Sequence, residues 1–106
     1  MPKYLVMASY TSEGAKGLLK DGGTKRRQSV ETSLKSIGGR VESFYYAFGD
    51  SDAVLIIDAP DNMSVAAAAM AINASGAVHI KTTVLLTLEE IDQAAKANAT
   101  YIAPGR

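Results

Sequence analysis

The sequence predicts an α+β domain in which two helices cover one face of a four-stranded antiparallel sheet. Three observations lead to it. Two short runs, around residues 4–8 and 53–57, are apolar at every position, as strands at the centre of a sheet are. Helical spacing of apolar residues appears once after each of these runs. The elements then follow in the order strand, helix, strand, turn, strand, helix, strand.

The first strand spans residues 3–10. A glycine-rich, charged segment, residues 10–27, separates it from a helix whose apolar stripe is Val30, Leu34 and Ile37. Gly38 and Gly39 end that helix, since glycine accepts the left-handed conformation of a C-cap. Residues 40–48 are aromatic and partly alternating and form the second strand. Gly49, Asp50 and Ser51 make a hairpin turn, and residues 53–57 form the third strand. Asp61, after Pro60, is the expected N-cap of an alanine-rich second helix over residues 63–72, closed by Gly76. Residues 77–88 give the last strand. Leu88, Ile91 and Ala95 mark a carboxy-terminal helix with Glu89 and Glu90 in its first turn, and the tail from Tyr101 frays or drapes on a neighbour. This is the ferredoxin-like βαββαβ order with one extra helix, and it puts the first and third strands in the middle of the sheet.

One domain is expected from 106 residues, and it is large enough to bury a core without disulfides. The absence of cysteine excludes a disulfide scaffold, a thiolate zinc site and a cysteine nucleophile. Eleven basic and eleven acidic residues cancel, which argues against nucleic acid or an anionic membrane as a partner. No apolar run approaches the ~20 residues of a bilayer span, and the amino terminus lacks a signal-peptide layout, so a soluble cytoplasmic protein is expected.

Two helices can cover only one face of the sheet, yet both central strands offer apolar residues to both faces. A second sheet must cover the other, most simply that of a second copy about a two-fold axis. The expected partner is therefore the chain itself, as a homodimer or a higher oligomer. The second helix presents Met63, Ala67 and Met70 on one side and Val65, Ala69 and Ile72 on another. Either small alanines let it settle deeply on the sheet, or both sides are buried by a further subunit contact.

Four segments carry a family resemblance: Tyr10-Thr-x-x-Gly14-Ala-Lys-Gly17-Leu-x-Lys20-Asp-Gly-Gly23-x-x-Arg26-Arg27, Phe44-Tyr-x-x-Phe48-Gly-Asp-x-Asp52, Asn73-Ala-Ser-Gly76 and Lys81-Thr-Thr-Val84. With them the chain resembles the GYD domain proteins, small bacterial proteins of the dimeric α/β-barrel superfamily, over nearly its whole length. The chain departs from the family at Ser51, where an aromatic residue is usual. The resemblance implies the fold, a dimer and a ligand cavity. It does not imply an activity, because the superfamily ranges from cofactor-free oxygenases to haem enzymes and binding proteins.

Topology brings the unusual polar residues to one end of the sheet. The residue 10–27 segment, the turn at Asp50 and Asp52, residues 73–76 and the start of the last strand with His79 all arrive there; Lys81 shares the parity of His79, which makes that strand face polar, and is a ligand-binding candidate with it. Continuing the Val30, Leu34, Ile37 stripe backwards reaches Arg27 and Arg26, which turns both arginines toward the core at the rim. Positive charge in a helix's first turn opposes the macrodipole by ~0.3–1 kcal/mol. It needs a compensating anion, which is either Asp21, Asp50 or Asp52 in an arginine–aspartate clamp or a bound carboxylate or phosphate. Gly14, Gly17, Gly22 and Gly23 match no phosphate loop. They read as a kink at Gly22 and Gly23 with close packing at Gly14 and Gly17, or as a lid over a ligand; Lys16 and Lys20 of that lid are ligand-binding candidates with Tyr10 and the residues above. His79, the single histidine, builds no ordinary metal site. It either faces solvent or the dimer interface, or serves in proton transfer with Tyr10 or Tyr46. No metal or cofactor is expected. The reading is a homo-oligomer that binds a small anionic or amphipathic molecule. The rivals are a cofactor-independent oxygenase- or isomerase-like enzyme using His79 and a tyrosine, and a purely structural assembly module.

Overall fold

The computed structural model of the chain describes residues 1–106. Its elements are β1 (Lys3–Tyr10), α1 (Ser12–Asp21), α2 (Gly23–Lys35), β2 (Arg40–Tyr46), β3 (Ala53–Asp58), α3 (Asn62–Ala74), β4 (Val78–Leu85) and α4 (Leu88–Ala95). The strands form one antiparallel sheet in the order β2-β3-β1-β4, so the two apolar runs lie at its centre as expected. β2 and β4 are each shorter than the spans of residues 40–48 and 77–88 expected for them. A six-residue connection joins β2 to β3, with the Ala47 amide donating to the Asp52 carbonyl at 2.9 Å, and Phe48 lies fully in solvent.

Alternation along the central strands sorts their side chains. Tyr4, Val6 and Ala8 of β1 and Ala53, Leu55 and Ile57 of β3 are buried with Leu34 of α2 and Val65 of α3. Their neighbours Leu5, Met7, Val54 and Ile56 point to the opposite face and are only half-buried. Uninterrupted apolar runs predict burial on both faces, but both core helices lie on one, and the other is bare in the single chain. At one margin of that bare face Lys3 and Arg40 each donate to the buried Asp58 carboxylate at 2.9 Å. Lys3 foremost, with Arg40, holds that carboxyl below its ordinary range against the opposing effect of burial.

The residue 10–27 segment is two helices. Thr11 caps α1 by accepting from the Gly14 amide at 3.3 Å, and the chain turns from α1 into α2 at Gly22, whose φ of +82° is costly for any residue with a Cβ. Asp61 caps α3 by accepting from the Ser64 amide at 2.8 Å, as its position predicts. Of the two faces of α3, Val65, Ala69 and Ile72 turn to the sheet, while Met63 and Met70 are 77% and 73% exposed. Beyond β4, Thr87 and Glu90 close a reciprocal capping box at the start of α4.

Candidate functional site

α2 and α3 make little direct contact with each other, and between them and the sheet lies a cavity of about 230 Å³. α2 contributes Val30, Ser33 and Leu34, and α3 contributes Val65, Ala68, Ala69 and Ile72. The alanines of α3 create the room. Side chains the size of leucine at Ala68 and Ala69 would close a gap that close-packed interiors normally lack. Fifteen of the 19 lining residues are hydrophobic, so the space suits an apolar body.

The polar character is concentrated at one end. Tyr10 and Arg26 line this cavity and also an adjoining one of about 120 Å³ beneath α1, where Glu13, Gly14 and Gly17 meet them. Arg26 is the one charged side chain on the larger cavity, and no carboxylate lies within ion-pairing distance of it. Tyr46 stands beside Tyr10. Its ring packs on Phe44 at a centroid distance of 5.2 Å, and its hydroxyl donates to the Gly23 carbonyl at 3.3 Å.

Burial first, then the Tyr10 phenol, pushes the Tyr46 phenol up to about 12, while the Arg26 charge pulls the other way. The sign is that of a group protonated more tightly when folded. Its contribution to stability is complete below the ordinary phenol value near ~10 and is lost as pH rises toward the shifted one. Absorbance titration at tyrosinate wavelengths is therefore expected to show a late step near pH 12 that Tyr46→Phe removes. An identical curve for the variant would reject the assignment. At neutral pH Tyr46 is a hydrogen-bond donor.

The remaining sequence candidates are dispersed. Arg27 turns outward and donates to Glu31 at 3.2 Å, one helical turn along. Asp52 accepts from the Tyr10 backbone amide at 2.8 Å, which ties the β2–β3 connection to the end of β1 directly before α1. Asp50 is exposed and makes no ion pair, and Asp21 faces Lys25 at 3.7 Å. The arginine–aspartate clamp considered from the sequence is thus not formed; a carboxylate–amide bond does its work. Lys16 and Lys20 are exposed on α1. Gly14 is in tight contact with the Ala77 carbonyl, whereas Gly17 borders open space. Val78, Ile80 and Thr82 of β4 line the cavity, so by alternation His79 and Lys81 lie on the opposite, bare face of the sheet. His79 is consequently not assembled with Tyr10 or Tyr46 within one chain. Nowhere do three or more histidine, cysteine or acidic residues gather as metal ligands would.

Sequence reasoning missed Ala68, Ser29, Ser33 and Phe44 as lining residues. The two serines continue the inward face of α2 one turn from Arg26 and Val30, which is a legible signal; a small residue on an alanine-rich helix carries none.

The GYD domain family model matches residues 4–95, a span that holds every group described at the cavity and beneath α1. The chain belongs to the GYD domain family. No curated protein and no solved structure matches it. The match runs through the end of α4, so the GYD domain includes that helix as well as the sheet and the cavity.

Proposed function

We propose that this GYD domain protein binds a small amphipathic anion, with the apolar part in the cavity between α2, α3 and the sheet and the charged head at Arg26. The observation that carries the reading is Arg26: an arginine without an acidic partner is the one charge on an otherwise apolar cavity. A guanidinium so placed favours a carboxylate or similar group, and the hydroxyl of Tyr10, which lines the same cavity, is a hydrogen-bonding group for the same head. The volume supports one compact ligand, since an apolar cavity of ~150 Å³ already holds benzene. The bare sheet face, with Leu5, Met7, Val54 and Ile56 half-exposed and Tyr45 72% exposed, supports a homodimer built by stacking two such faces. Catalysis by His79 with Tyr10 or Tyr46 is not favoured, because His79 and those two tyrosines stand on opposite faces of the sheet.

Octanoate and its neutral counterpart octanamide form a matched probe pair for calorimetric titration. Octanoate is expected to bind more tightly than octanamide, and Arg26→Gln is expected to weaken octanoate by roughly 10- to 100-fold while leaving octanamide unchanged. Equal binding of both probes would remove the anion from the reading. Binding of neither would remove the cavity.

A further inference from the structure

The carboxy-terminal arm, residues 86–106, does not rest on its own chain. From Leu86 to Ile102 every residue is exposed, including Leu86, Leu88, Ile91, Tyr101 and Ile102. The molecule is stretched accordingly. Its radius of gyration is 16.8 Å and its longest extent 56 Å, where a compact chain of this length has a radius near ~13 Å. Yet the arm is built to be helical: the Thr87–Glu90 capping box satisfies its first amides without tertiary help, and Leu88 and Ile91 lie three residues apart on one side of α4. A capped helix that buries nothing is a helix waiting for a surface.

We infer that the arm is exchanged, α4 of each chain packing on a second copy at the margin of the stacked sheet faces. This rests on the dimer proposed above and goes beyond it. Continuity argues for a second copy. Leu85 pairs with Lys3 and by alternation points to the bare face, and α4 starts three residues later, so the arm leaves from the edge of that interface. A lipid surface is a poor occupant, because α4 carries Glu89 and Glu90 on its polar side and Asp92 one turn from Leu88 at the edge of its apolar side, and anionic headgroups repel all three.

Two measurements on the full-length chain test this. With photoreactive benzoylphenylalanine at position 91, irradiation is expected to yield a covalent species of twice the chain mass. Leu88→Glu combined with Ile91→Glu is expected to weaken dimerisation by roughly tenfold or more in sedimentation equilibrium, while Leu19→Glu, on the exposed side of α1, leaves it unchanged. If the protein is a dimer but the crosslink stays within one chain, or the double variant dimerises as tightly as wild type, arm exchange is overturned and the stacked-sheet dimer stands. A chain that remains monomeric at all concentrations removes both.

Discussion

Tyr4→Ala is expected to lower the unfolding free energy by about 3–5 kcal/mol, the range for removing a large aromatic side chain from a packed core. Tyr4 is 1% exposed at the centre of β1, opposite Ile57 on one side and Val84 on the other, and its hydroxyl donates to the Asn62 side chain at 2.6 Å. It therefore joins the middle of the sheet to the start of α3. Two causes are separable. Tyr4→Phe keeps the ring and loses only the hydrogen bond to Asn62, which is exposed and regains water, so its cost is about 0.5–1.5 kcal/mol. Domains of this size are stable by only ~5–15 kcal/mol, so the alanine variant is near the edge of folding at growth temperature. Urea unfolding followed by far-UV circular dichroism measures both. A Tyr4→Ala cost no larger than that of Tyr4→Phe would mean that ring burial contributes little and that the core lies elsewhere.

Gly14→Val is expected to dislodge α1 from the body while leaving the sheet folded. A Cβ at Gly14 would lie 2.0 Å from the Ala77 carbonyl oxygen and 3.0 Å from the Tyr10 ring. Neither neighbour can yield cheaply. The Ala77 oxygen already accepts from the Thr11 amide at 3.0 Å and the Thr11 hydroxyl at 3.2 Å, and Thr11 is the cap of α1. Shifting α1 to make room breaks that cap and both bonds, about 1–3 kcal/mol of local stability. Amide hydrogen exchange across α1 should accelerate while the β1 and β3 amides keep their protection. Octanoate affinity should fall as well, because Tyr10 is pushed and Arg26 loses the wall that holds it at the cavity. Gly17→Ala is the control from the same helix. Its Cβ meets nothing within 4 Å, so helix propensity alone acts and stability rises by about 0.5–1 kcal/mol. If Gly14→Val protects α1 as well as wild type does, the close approach to Ala77 is not what docks this helix.

Much of the fold was legible because it follows from local spacing. The apolar runs around residues 4–8 and 53–57 identified the central strands, Asp61 the start of α3, and the paired glycines the break between α1 and α2. The candidate site was legible only in part. Helical phase turned both Arg26 and Arg27 inward, yet Arg27 finds Glu31 four residues on and leaves the cavity to Arg26. Both arginines lie close to the apolar stripe, and a side-chain pairing across one turn of helix is enough to decide between them. The parity of His79 with Lys81 was visible, but topology alone put His79 at the same end as Tyr10. The register that turns Val78 and Ile80 to the helices puts a sheet between them.

By itself, then, the sequence determined the order of the elements, the two central strands and the caps, since each is a property of residues within a few positions of one another. Tertiary structure alone decided that α2 and α3 stand apart over the sheet, that Arg26 without Arg27 faces the gap, and that α4 leaves the body with its apolar side uncovered. Those outcomes depend on how far apart packed elements settle and where a strand's register falls. They are relations between distant residues, and no short-range pattern in the chain encodes them.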